Sequence, residues 1–232
     1  ISKLLNKESV SVNVIGNSSQ GVNNRFEFII NNTFLGTLLK SLPSEWADIE
    51  QFYYDKLIYI SKKEIQPNRR DYSYKGGLDD LNSGFLFLKE KFEGYLKEVM
   101  EKNKINVNEK IINCCRWGSA EIINDGDTED LDTTLSLAKE IFFLNFNYTP
   151  TISEYIKKMN NERDYEIPIS EIQIHGKVDD RRNPVIFGFG DEMDDNYKLL
   201  EKLNNNQYLK YIKSFGYFKT NNYKRLERAI NS

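Results

Sequence analysis

Apolar positions follow two different rhythms along the chain. From residue 25 to about 103 they recur at the three-and-four spacing of helices buried on one side. Phe26, Ile29, Ile30, Phe34 and Leu38 form one such stripe, and Trp46, Ile49, Tyr53, Leu57 and Ile60 a second. A third, over residues 79–102, carries Phe85, Leu88, Phe92, Tyr95, Leu96 and Val99. Pro43 separates the first two, and Ser44 is expected to cap the second. "QPNRRDYSYKGG" (66–77) reads as a loop, so the pattern predicts a helical layer over residues 25–103. A strand is expected at Val10–Ile15, ahead of the turn cluster "GNSSQGVNN" (16–24).

Beyond residue 104 the rhythm changes. Short apolar runs at 141–146, 171–174 and 184–187 alternate with helix-like segments at 131–140, 150–159, 196–204 and 222–230. Thr149 and Pro150 have the chemistry of a cap and a first position for the helix at 150–159. Such alternation predicts an α/β fold with a parallel sheet over residues 104–232, within a single domain spanning 1–232. Ligands of these sheets bind beyond the carboxyl ends of the strands. Asn147, His175 and Gly188 each stand just past an apolar run.

Composition narrows the function classes. A chain of 232 residues can bury one sizeable core, or a core with a helical subdomain. No apolar run approaches the ~18 residues of a membrane span, and no signal segment opens the chain. Lys plus Arg (32) nearly balance Asp plus Glu (35), so nucleic-acid binding would need a local basic patch. "PNRR" (67–70) and "DDRR" (179–182) are short and partly neutralised by acids, and nucleic acid is not expected as a partner. Cys114 and Cys115 are adjacent, which disfavours a relaxed disulfide. With one histidine in the chain no metal site is expected, and the thiols read as reduced in a cytoplasmic protein. Asp48 and Glu50, two apart on a helix, point different ways and read as solvated flanks of Trp46 and Ile49.

The residues able to do chemistry cluster at the run ends. His175 could serve as a general base near neutral pH. Asn147 offers a donor and an acceptor from one amide, suited to fixing a hydroxyl or an attacking water. Gly176 lets backbone approach a ligand, and Gly188 and Gly190 in "NPVIFGFGDE" (183–192) repeat that design. Each has a plainer alternative: a hydrogen-bonded turn histidine, a helix cap, a turn glycine.

The set "FNYT" (146–149), "IHG" (174–176) and "PVIFG" (184–188) is similar to the sirtuin-like pattern. More closely, the chain resembles the bacteriophage abortive-infection family AbiH. The resemblance rests on "NN.F" (31–34), "EWADIEQFYYDKL" (45–57), "LNFNYT" (144–149), "IHGKVDD" (174–180), "IFGFGDE" (186–192) and "KSFGYFKTNNYKRL" (213–226), in that order. It implies phage defence in the cytoplasm and a sirtuin-like, Rossmann-type parallel sheet with a helical subdomain. It further implies a nucleotide ligand, NAD or a relative, with no other cofactor required. His175 would be the catalytic base and Asn147 the organiser of ribose or water; Asn145, Thr149, Gly176, Gly188 and Gly190 would line the nucleotide. A non-catalytic nucleotide sensor or an interaction scaffold is the alternative, and the resemblance is compatible with a homo-oligomer or a partner defence protein. Two departures stand out. "VNVIGNSSQG" (12–21) begins like the family's phosphate-holding turn and then diverges, and a closing Gly-His-Ser strand is not met, as if terminal family segments were missing. Thr149 also stands where sirtuin-like sites commonly carry an acid.

Overall fold

A computed structural model describes residues 10–15, 25–41, 46–68, 73–116, 140–161, 168–190, 193 and 195–231. It is mixed α/β, mostly helical, and divides into two compact units. The first takes residues 1–92 and 187–216, the second residues 93–186 and 217–232. No described helix is long and apolar enough to cross a membrane.

The first unit opens with an antiparallel pair, β1 (Val10–Ile15) and β2 (Arg25–Ile30), matched from Val10↔Ile30 to Ile15↔Arg25. The helix expected from residue 25 thus begins only at α1 (Thr33–Ser41). The reason is visible in "RFEFII": Phe26, Phe28 and Ile30 also alternate with period two, and the strand pairing won. Asn32 then starts α1. Its side-chain oxygen accepts from Leu35 N–H at 2.8 Å, while the Asp80 carboxylate takes the N–H groups of Thr33 and Phe34 at 2.9 and 3.1 Å. Three of the N–H groups that a helix start leaves open are satisfied this way.

Helix α2 (Trp46–Ile65) buries the expected stripe of Ile49, Tyr53, Leu57 and Ile60. Helix α3 (Leu78–Lys102) buries Leu81, Phe85, Leu88 and Phe92, whereas Tyr95, expected inside, is 46% exposed. Between them the Tyr53 and Phe85 rings stack at 4.0 Å, and the Tyr53 hydroxyl donates to Asn82 Oδ1 at 2.7 Å. Phe187 stacks on Phe85 at 5.0 Å, and the Tyr211 ring meets Phe85 edge-on at 5.1 Å. The core of this unit is therefore mainly aromatic. The expected Ser44 cap and the Trp46 side chain lie outside the described structure.

In the second unit β3 (Ile141–Asn145) and β4 (Ile169–Gln173) pair in parallel, from Ile141↔Ile169 to Asn145↔Gln173. Helix α4 (Glu109–Arg116) and helix α5 (Thr151–Asn161) supply Ile112, Tyr155 and Met159 to a cluster that Cys115, Phe143 and Ile169 join. Cys115 is half-buried; the Cys114 side chain is outside the described part. The run at 184–187 forms no strand. Val185, Ile186 and Phe187 are buried all the same, and among the described residues only Phe189↔Ile212 makes an isolated bridge nearby. Pro184 brings no N–H to a ladder, and Ile186 N–H goes to the His175 carbonyl at 2.8 Å instead. The helix expected at 131–140 lies outside the described residues. Short helices follow at α6 (Tyr197–Lys202), α7 (Lys213–Phe218) and α8 (Asn222–Ile230).

Candidate functional site

The parallel pair puts two polar segments side by side, because Asn145 and Gln173 end their strands in register. Ile174 N–H continues the ladder to the Asn145 carbonyl at 3.0 Å. Asn145 is almost fully buried, and its amide is committed on both sides. Its nitrogen donates to Glu171 Oε1 and its oxygen accepts from Asn147 N–H, each at 2.8 Å. The Asn147 side chain is exposed, while its carbonyl receives the Gln173 amide at 3.1 Å. That same Gln173 nitrogen donates to the Thr149 carbonyl at 2.8 Å, and the Thr149 hydroxyl lies 2.9 Å from that of Thr151. Helix α5 begins one residue later than expected, with Glu154 N–H bonded to the Pro150 carbonyl.

His175 follows β4 directly and is half-exposed. Its ring stands 5.5 Å from Phe146, 6.1 Å from Tyr148 and 5.9 Å from Tyr217. The residues on either side of Asn147 therefore flank the imidazole, with Phe146 itself 57% exposed. Gly176 turns the chain at a φ of +84°, where a Cβ would come within 2.1 Å of the Pro184 carbonyl oxygen. Pro184 thus fills the space that the missing side chain leaves.

Gly188 and Gly190 belong to the first unit, and there too neighbouring chain explains them. A Cβ on Gly188 would meet the Tyr211 carbonyl at 2.2 Å; Gly190, at φ +79°, faces the Tyr54 ring at 2.9 Å. Gly188 N–H donates to Glu50 Oε1 at 2.9 Å, and Lys213 Nζ stands 3.7 Å from the other Glu50 oxygen. Glu50 is thus not the solvated flank expected from the sequence: its side chain is 12% exposed. Burial pushes its carboxyl above the usual range, against the opposing pull of Lys213 and the Gly188 N–H. The available signal was its place at the edge of the Tyr53–Leu57 stripe, three and seven residues away on α2.

A second feature of the 93–186 and 217–232 unit was not foreseen. A cleft of about 350 Å³ is lined by Glu171 and Gln173 of β4, Ser153 of α5, Lys177, Asp180, Arg182 and Asn183 of the following loop, and Asn221, Asn222 and Arg225 at the start of α8. Neither His175 nor Asn147 lines it. Asn222 holds the wall together: its amide donates to the Gln173 carbonyl at 2.8 Å and to Asn183 Oδ1 at 2.7 Å.

A family model described as "Bacteriophage abortive infection AbiH" matches residues 15–232. No curated protein and no solved structure matches the chain.

Proposed function

Because the chain belongs to the bacteriophage abortive infection AbiH family, and so to abortive-infection defence against phage, we propose that it binds a nucleotide beyond the carboxyl ends of β3 and β4 and hydrolyses NAD there. The observation that carries this reading is His175: a half-exposed imidazole at the end of a parallel strand, among the rings of Phe146, Tyr148 and Tyr217. Parallel strands joined through a helix, as β3 and β4 are through α5, are the unit of Rossmann-type sheets, and a sirtuin-like arrangement is the form that fits the sequence motifs. The exposed Phe146 ring beside the strand ends suits stacking of a base or a nicotinamide.

In the proposed reaction the bond between nicotinamide nitrogen and the ribose C1′ breaks, and the electron pair leaves with a now neutral nicotinamide. The ribose passes through an oxocarbenium-like state, as in glycoside hydrolysis. A water molecule forms the new C1′–O bond and gives its proton to His175, the side chain type whose charge changes nearest neutrality. The exposed Asn147 amide orients the water or a ribose hydroxyl. Products are nicotinamide and ADP-ribose, and depletion of NAD in the cytoplasm stops phage growth.

The test is His175→Ala. Nicotinamide release by purified protein should fall by ~10²–10⁴, and phage plating efficiency should return to the undefended level at an unchanged melting temperature. Protection that persists in a folded His175→Ala protein overturns the catalytic reading. Nucleotide binding without any nicotinamide release by the unaltered protein would make it a sensor instead.

A further inference from the structure

The polar cleft between β4, the 177–183 loop and the start of α8 has no part in the chemistry assigned to His175. All ten of its lining side chains are polar or charged, and its volume of about 350 Å³ is in the range that admits small ligands. Three are cations, Lys177, Arg182 and Arg225; two are carboxylates, Glu171 and Asp180. Counted naively, the acids would cancel most of that charge, as the "DDRR" sequence suggested.

The hydrogen bonds show which groups those charges face. Both Glu171 oxygens are taken by neutral donors, Asn145 Nδ2 and Ser153 Oγ, each at 2.8 Å. Asp180 Oδ1 accepts the N–H groups of Arg182 and Asn183 at 2.8 and 3.2 Å, which folds the loop. Asp179, in a left-handed conformation with φ +64°, turns its carboxylate to Lys97 at 2.7 Å. Arg225 gives one N–H to the Glu171 carbonyl oxygen at 2.8 Å. Among the described residues, no carboxylate pairs with the charged end of Lys177, Arg182 or Arg225. Among the described residues, the cleft therefore carries a small positive excess, three cations against two carboxylates that are not directly paired with them, beside the amides of Gln173, Asn183, Asn221 and Asn222.

From this we propose that the cleft is a binding site for a small phosphate ester of a polyhydroxylated compound, of the size of a sugar phosphate. Planar guanidinium forks and an ammonium match phosphate oxygens. The Gln173 and Asn222 nitrogens are committed within the wall, which leaves their amide oxygens to accept from hydroxyls. A purine or other flat apolar group is disfavoured here, since no ring or aliphatic side chain lines the wall. A free sugar phosphate and the terminal part of a nucleotide present the same chemistry to these residues. The inference does not depend on NAD turnover.

The experiment is titration calorimetry on the full chain at low salt with ribose 5-phosphate, ADP-ribose, adenosine and inorganic phosphate. Ribose 5-phosphate should bind, adenosine should not, and inorganic phosphate should bind more weakly than the ester. Lys177→Gln and Arg182→Gln should each weaken ribose 5-phosphate roughly tenfold or more, the loss of one charge-assisted contact, at unchanged melting temperature. Binding should also weaken with added salt. ADP-ribose binding tighter than ribose 5-phosphate, and equally dependent on the two cations, would identify a nucleotide as the source; equal affinities would identify a free sugar phosphate. His175→Ala should leave the ribose 5-phosphate affinity unchanged, so a failure of the NAD reading does not touch this one. No ribose 5-phosphate binding, affinities indifferent to Lys177→Gln and Arg182→Gln, or inorganic phosphate binding as tightly as the ester would overturn the proposal.

Discussion

A methyl group at position 176 would have to share space with the Pro184 carbonyl oxygen, 2.1 Å away, at a φ of +84°. Both the strain of that backbone region for an L side chain and the clash oppose it, so Gly176→Ala should destabilise the protein by at least about 2 kcal/mol. Urea denaturation measures this, and an unchanged midpoint would refute it. The sequence shows that a glycine permits close approach; it does not show what approaches. Glu50 was misread for a related cause: spacing on α2 put it at the border of the apolar stripe, and only the fold brings Lys213 and Gly188 N–H to it. Its raised carboxyl pKa sets a pH dependence. The folded state holds this proton more tightly than the unfolded chain, so Glu50 favours folding below the ordinary carboxylate range and loses that contribution as pH rises through its raised value. A Glu50→Gln protein should therefore gain in melting temperature relative to the unaltered protein as pH is raised from 4 to 7. A constant difference over that range would mean that Glu50 titrates alike in both states.

At the scale of elements, α2 and α3 were legible because their apolar stripes are long and regular, and Ile49, Tyr53, Leu57, Phe85, Leu88 and Phe92 are buried as the spacing requires. Short apolar runs were not. Residues 25–30 satisfy both helical and alternating periods, and 184–187 are apolar because they are buried, without a ladder to join. The paired helices yield a matched set of predictions. Phe85→Ala removes a ring in contact with those of Phe34, Tyr53, Phe187 and Tyr211 and should cost ~3–5 kcal/mol. Tyr53→Phe keeps the ring and strips the buried Asn82 Oδ1 of its 2.7 Å donor, a loss of ~1–3 kcal/mol. Denaturant midpoints of the two variants should rank in that order; the reverse ranking would place the weight of this core on the hydrogen bond. Asn145 belongs to the same scale. Its buried amide ties β3 to Glu171 and turns the chain at Asn147.

For the molecule as a whole, the family and the broad α/β character could be read from the order of motifs such as "NN.F", "LNFNYT" and "IHGKVDD". The division into two units could not. The chain passes from one to the other at 92/93, 186/187 and 216/217, inside α3, inside an apolar run and inside α7, where composition marks nothing. Neither unit is continuous in sequence. A fragment of residues 93–186 lacks Asn222 and Arg225, which bond the β4 carbonyls of Gln173 and Glu171. Expressed alone it should show no cooperative unfolding transition by circular dichroism; a sharp transition would mean that α8 is dispensable to this unit.

The bond from Asn222 to the Gln173 carbonyl spans 49 residues of sequence, and that span is also an interval of time. A ribosome adding ~5–20 residues per second needs about 2–10 s to travel it. During those seconds β4 has been made, but its wall of the cleft has neither Asn222 nor the guanidinium of Arg225. Each new copy of the protein therefore passes through a brief infancy in which the strand exists and the cleft does not.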